Sequence, residues 1–436
     1  MYREAAVRGG AHLGASGRRA LARGDLPAAV GLLDRAAALL PEGTQGRAGI
    51  LAALGSALTE QGEFARAAAV FAGATEAATV AGDAEQASHT SLTRLHLFFF
   101  TDPNGVAEAT QREVERLIPL FTERGDELGL AKARRRLAMV YRTRLDIRGM
   151  EAELERAVAH ARAAGDGREE ARSLGLLATA AFLGPTPAAE GIARCTRIRD
   201  GADGNLIVER AVLVALAGLE AMGGAFAVAR GHLDEHARLC RELGLRLDAA
   251  EGRIQCGFVE LLAGDAAAAA DALAAAVADL QAMGERANLA MAAALLGGAL
   301  GRLGRVDDAL SATRLAEAMA APDDLGAQAS WRVARAEVLL GGNSTDEARR
   351  MAEEAVRLAG QTDSHELRGQ ARAALADVED GRSNPAGARA AREQALRAFE
   401  RKGDVVSAAR IREQLGVRDD GDMSAEPAPS PLESRP

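Results

Sequence analysis

The chain has 436 residues; nearly a quarter are alanine, 3% are aromatic and 47 are glycine. Alanine is the best helix former, and residues that favour strands are scarce, so the composition points to an all-α protein packed through small side chains. It excludes a collagen-like chain, a coiled coil and a disulfide scaffold, and a formal net charge of −9 leaves no global basic field for bulk nucleic-acid binding.

In chain order, the opening Met1-Tyr-Arg-Glu-Ala-Ala-Val-Arg has no apolar run of the kind a signal peptide needs. It reads as part of a first helix carrying Gly9, Gly10, Gly14 and Gly17, so the N-terminal pair is expected to be loosely packed. Turn signals then fall near Gly24, Gly62, Gly105, Leu145, Gly184, Gly224, Gly264, Gly304, Gly342 and Ser383, about 40 residues apart. A second set lies midway: Gly82, Gly125, Gly165, Gly204, Gly244, Gly284, Asp323, Asp363 and Gly403. Turns about every 20 residues leave room for helices of roughly 15–18 residues. Gly-Asp occurs at 24–25, 82–83, 125–126, 165–166, 264–265 and 403–404. There glycine can end one helix in the left-handed conformation while aspartate caps the next. The most apolar stretch, Leu206 to Met222, is broken by Glu209, Arg210 and Glu220 and does not read as membrane-spanning. Val405 to Leu415 reads as a last, more polar capping helix. Residues 1–415 thus form one elongated array; 416–436, with acidic residues, prolines and no apolar periodicity, read as a disordered tail.

Within the array, Leu51, Leu54, Ala57 and Leu58 mark one helix face, and Ala67, Phe71 and Ala74 mark the face that answers it. The segment from Leu54-Gly55 through Leu58, Gly62, Ala67, Phe71 and Ala74 resembles the tetratricopeptide repeat. Leu296-Gly297, Leu300, Gly304, Ala309, Thr313 and Ala316 repeat it with Thr at the large position. The resemblance covers most of the chain. It implies a right-handed superhelical solenoid of about ten helical hairpins. The segments around Gly17–Val30, Thr101-Asp-Pro, Gly184-Pro-Thr-Pro and Phe399–Val406 resemble a narrower group. These are the C-terminal solenoids of bacterial signalling proteins that join a cyclase-like or LuxR-type module to an AAA/STAND ATPase. No ATPase or cyclase residue carries over, because the modules that hold them have no counterpart in this sequence.

No phosphate-binding Gly-x-x-x-x-Gly-Lys loop, Gly-x-Ser-x-Gly elbow or Cys-x-x-Cys pair is present. His232-Leu-Asp-Glu-His236 matches the literal His-x-x-Glu-His of inverted zinc peptidases, with Cys240 a turn further on. Leu233 and His236 fall on packing positions of the repeat, so a helix-packing role is expected, with a metal-dependent hydrolase as the remote alternative. Trp331 and Tyr141 are likewise expected to pack. From Lys132 to Arg148 the chain concentrates Lys132, Arg134, Arg135, Arg136, Arg142, Arg144 and Arg148 against one Asp146. In the solenoids that the repeat resembles, the first helix of each pair lines the concave groove. That register places Lys132, Arg135, Met139 and Arg142 in the groove, with His89, His96 and Phe99 from the preceding pair and Arg172 from the next. Convergent cations beside an aromatic suit a carboxylate-bearing or phosphorylated peptide; a solvated helix face, or a docking patch for another domain, is the plainer reading of the same residues. The expectation is a non-catalytic, cofactor-free scaffold or sensor in the bacterial cytoplasm, binding a protein or peptide and neither nucleic acid nor membrane. A regulatory arm of a signalling ATPase, cyclase or transcription regulator is the alternative.

Overall fold

The computed structural model describes residues 2–340 and 344–417; Gly342 and residues 418–436 of the tail lie outside them. The described residues contain 21 helices and no strand. The helices pair in sequence as ten hairpins. The first five are α1 (Tyr2–Ala22) with α2 (Leu26–Leu39), α3 (Arg47–Gln61) with α4 (Phe64–Val80), α5 (Ala84–Thr101) with α6 (Val106–Arg124), α7 (Glu127–Thr143) with α8 (Ile147–Ala164), and α9 (Gly167–Leu183) with α10 (Ala188–Asp200). There follow α11 (Leu206–Met222) with α12 (Phe226–Leu243), α13 (Arg246–Ala263) with α14 (Ala266–Met283), and α15 (Ala287–Arg302) with α16 (Val306–Met319). The last are α17 (Leu325–Leu340) with α18 (Thr345–Gly360) and α19 (His365–Gly381) with α20 (Pro385–Lys402), closed by the single α21 (Val405–Leu415).

The turns form as their residues dictate. In the six Gly-Asp pairs among the described residues the glycine has positive φ and the aspartate accepts a backbone N–H three residues on. Leu145 and Ser383 take the same left-handed conformation without glycine, at φ 48° and 58°. Gly184 departs from the pattern, ending α9 in an extended conformation with φ −83°.

Hairpins pack by small-to-large pairing. A Cβ on Gly55 would lie 2.7 Å from the Phe71 ring, so only glycine lets the two helices meet there. Gly17 with Leu33, Gly257 with Leu273 and Gly297 with Thr313 repeat the contact at the same offset. The N-terminal pair therefore differs from expectation. Its glycines are close-approach points, with Gly10 seated on Leu40, Gly14 on Ile50 and Gly17 on Leu33. Helix α14 is long and apolar enough by composition to cross a membrane, but its Ala269, Leu273, Ala276 and Leu280 are buried in the solenoid. Trp331 is buried between the guanidinium groups of Arg332 and Arg335, 4.0 and 4.5 Å from its ring, and half-buried Tyr141 packs over Gly149.

The superhelix is wound so tightly that successive turns touch. Met283 of hairpin 7 covers Gly62 at the end of α3, and Arg286 N, before α15, donates to Phe100 O of α5 at 2.7 Å. Asp363, before α19, donates through its backbone to Leu145 O and accepts from Ile147 N and Arg148 N at the start of α8. Lys402 Nζ, fully buried, donates to Ala181 O, Gly184 O and Thr186 O at 2.9–3.2 Å. Arg410 of α21 reaches Leu262 O of α13. Each hairpin thus meets the one five further along (2 with 7, 3 with 8, 5 with 10). One apolar core runs without a break from Ala20 through Phe71 to Leu245, Met283 and Ala292.

Candidate functional site: a charged lumen

Closure of the turns converts the concave groove into a lumen. It comprises four chambers whose walls share residues. The N-terminal chamber, about 630 Å³, shares Arg135 and Arg172 with a neck of about 200 Å³. The neck shares Met139, Arg142, Leu176 and Glu251 with a central chamber of about 370 Å³. That chamber shares Phe258, Leu295 and Glu366 with a C-terminal one of about 330 Å³. Every odd-numbered helix from α5 to α19 contributes to the central wall, so the first helix of each pair does face inward.

All six candidate groove residues line this lumen. Lys132 lies in the N-terminal chamber, Arg135 and Arg172 at its junction with the neck, His96 in the neck, Arg142 at the next junction, and Phe99 in the central chamber. They are not equally available. Arg135 is 3% exposed and grips Glu169 through Nε and Nη2, the Nη2–Oε2 distance being 3.2 Å. Burial alone would raise the Glu169 carboxyl, yet the Arg135 guanidinium holds it below its ordinary range. Arg172 pairs with Glu60 and donates to Ser56 Oγ at 3.2 Å. Burial, then Arg210, lowers it to about 10. Arg168 joins Glu60 at 2.5 Å, and Arg210 pairs with Asp248. The two Glu60 pairs tie hairpin 2 to hairpin 5, and the Arg210–Asp248 pair ties neighbouring hairpins 6 and 7.

Other cations have fewer partners than donors. Arg136, 2% exposed, donates through Nε to Leu92 O at 3.1 Å, while its buried Nη1 has no partner among the described residues. Burial, then neighbouring Arg135, drives its pKa well down. Lys132 Nζ lies 3.4 Å from His89 Nδ1, and burial lowers its pKa too. His89 Nε2 meets Asp126 Oδ2 at 2.8 Å. Glu85, His89 and Asp126 bring their ligand atoms together, but Lys132 and the Asp126 contact occupy both ring nitrogens, which disfavours a cation. His96 Nδ1 is buried without a partner among the described residues, and burial, then Arg136, Arg135 and Arg142, keeps its ring neutral. Arg18 stands at the exposed rim of the N-terminal chamber. Arg134 instead turns to Glu153 of its hairpin partner at 3.0 Å.

His236 packs as its register implied. It is 3% exposed, sits 3.5 Å from Cys240 Sγ, and lies where a Cβ on Gly252 would be. Burial, then Arg210, lowers it to about 4.

Among solved structures, a Rap protein complexed with Competence and Sporulation Factor matches over 85% of this chain and 97% of that one, at 14% identity and a TM-score of 0.50. The fold is that of a tetratricopeptide-type solenoid. Yeast Tom70 (13% identity, TM-score 0.39, covering 95% of this chain and 91% of that one) and the Cut9–Hcn1 tetramer (16%, 0.46, covering 93% and 78%) match over most of this chain but superpose more loosely. No protein-family model and no curated protein matches the sequence.

Within this tetratricopeptide-type solenoid, sequence reasoning missed Arg136, Arg168, Arg210, Glu251 and Asp324 as wall residues. Arg136 was visible as part of the basic run, but the register placed its neighbours in the groove and not Arg136 itself. For Glu251 and Asp324 the signal was a carboxylate on or at the start of an inward-facing first helix.

Proposed function

We propose that the chain is a non-catalytic binding module that draws a carboxylate- or phosphate-bearing segment of a protein partner into the N-terminal chamber. The observation that carries this reading is the surplus of desolvated cations there. Arg136 Nη1 is buried without an acceptor among the described residues, Lys132 Nζ meets the His89 imidazole and no carboxylate at hydrogen-bond distance, and Arg18 stands at the rim. An anion would supply the missing acceptors through charge-assisted hydrogen bonds. Arg135 and Arg172 hold the wall in place for it, and Arg142 and His96 line the way inward. The Rap protein of like fold is complexed with Competence and Sporulation Factor, which supports ligand capture by such a solenoid. The likeness of the connecting segments to signalling arms makes regulation of a cytoplasmic ATPase or cyclase module the setting we favour. Three widely spaced cysteines with no disulfide among them, Cys195, Cys240 and Cys256, suit that compartment.

Labelled tetraglutamate, tetraserine and tetralysine peptides test this by fluorescence polarisation. Tetraglutamate should bind most tightly, weaken with added salt, and weaken further in the R18Q/K132Q double variant. Equal affinity for tetraserine, or no loss in the variant, overturns the proposal. Arg135 is unsuitable as the probe, because its substitution strands Glu169.

A further inference from the structure

The central chamber presents the opposite chemistry. Its wall is largely apolar, built from Phe99, Met139, Leu176, Phe182, Phe258 and Leu295 among others. Set into it are three carboxyl groups, Glu251, Asp324 and Glu366, against one cation, Arg142. None of the three has a cation within ion-pair distance among the described residues. Glu251 accepts from Asn288 Nδ2 at 2.9 Å, Asp324 from Ala327 N at 3.0 Å, and Glu366 from Gln370 Nε2 at 2.9 Å, all neutral amides. Glu366 is 8% exposed, and burial, then the neighbouring Asp404 carboxyl, raises it well above its ordinary range; Gln255 Nε2 of α13 is buried without a partner among the described residues. Such groups are costly to leave unmatched away from water.

We infer that the central chamber is a subsite for a single ammonium or guanidinium group carried on an apolar body. The apolar wall takes the body, and the carboxylates of Glu251 and Asp324 take the charge. An anion is disfavoured there by three acids to one arginine. The size fits, since cavities of about 300–1,000 Å³ hold compact organic groups. Burial supports the same reading. It raises Glu251, with Asp248 adding to the effect, to about 7 and Asp324 to about 6, and Arg142 only partly offsets it at either carboxyl. The inference rests on the lumen being the binding surface, but not on the anion site of the first chamber.

The test uses two probes with one apolar body and opposite charge, dansylcadaverine and dansyl-6-aminohexanoate. Trp331 is the chain's one tryptophan and its neighbour Ser330 lines the chamber, so dansyl emission sensitised by tryptophan reports occupancy. Dansylcadaverine should bind at least about tenfold more tightly than its anionic counterpart at pH 8. E251Q and D324N should each weaken it severalfold without weakening the anionic probe. Either variant suffices if the other fails to fold, as judged by circular dichroism. Equal or tighter binding of dansyl-6-aminohexanoate, or unchanged dansylcadaverine affinity in the folded variants, overturns the inference while leaving the lumen as a binding surface. If neither probe binds but tetraglutamate does, the central subsite falls alone. If none of the three binds, the lumen reading falls with it.

Discussion

The N-terminal and central chambers are lined by the same faces of the same kind of helix, yet they solve the problem of buried charge in opposite ways. In the first, guanidinium groups are tied to carboxylates on other hairpins, Arg135 to Glu169 of the next and Arg172 to Glu60 three back, and cations remain in excess. In the second, carboxyl groups rest on neutral amides, and acids remain in excess. A repeat fold therefore sets where its inward positions lie without setting their chemistry. That chemistry changes along one axis, so an elongated ligand would meet a polarised tube.

The largest effect tests the wiring of the first chamber. R135A leaves Glu169 buried without its partner, and breaking a buried pair costs about 3–5 kcal/mol, read as a fall in the urea midpoint. If the loss is well under 1 kcal/mol, the ion pair does not organise that wall. Next, K402M removes the donor to three carbonyls that clasp hairpin 10 to hairpin 5, at a cost of about 2–3 kcal/mol. Small-angle scattering should show a larger radius of gyration if this clasp holds the lumen closed.

The central chamber predicts a change of the other sign. The Glu251 carboxyl is raised to about 7 in the fold, above its unfolded value near 4.5, so the folded state binds the extra proton between those limits. Its contribution to stability is complete at the acid end and is lost as pH rises through about 7. E251Q cannot lose it. The variant should therefore gain on the parent by on the order of 2 kcal/mol between pH 5 and pH 8, measured as the difference of two urea titrations. A constant difference would remove Glu251 from the set of uncompensated acids. The smallest effect is at the seam between turns. D363A removes the acceptor for Ile147 N and Arg148 N and should cost about 1 kcal/mol. Hydrogen exchange should quicken at those two amides while the Gly149 amide, capped by Asp146 within its own turn, stays protected.

Much of this architecture was legible in the residues because its causes are local. Gly-Asp pairs become turn and cap through backbone preference and a hydrogen bond three residues away. Gly55 and Phe71 meet because they sit at fixed positions on two helices joined by a tight turn. The same register correctly turned Lys132, Arg135, Arg142, His96, Phe99 and Arg172 inward. It did not say which of them would be available, since Glu169 lies 34 residues from Arg135 and Glu60 lies farther still from Arg172. The glycines of α1 misled for a related reason: a small side chain signals looseness until the large neighbour that covers it is known.

By itself, then, the sequence determined the helices, their punctuation, the pairing into hairpins and the faces that turn inward, all through interactions within one repeat or between adjacent ones. Only the tertiary structure decided that the superhelix closes after five hairpins. That pitch is the sum of small rotations between neighbours, and it appears in no single pair. Closure brings Asp363 to Leu145, Lys402 to the carbonyls after α9, and Glu60 to Arg168 and Arg172. These contacts turn an open groove into a lumen whose charges are desolvated, and so make the unmatched ones informative about a ligand.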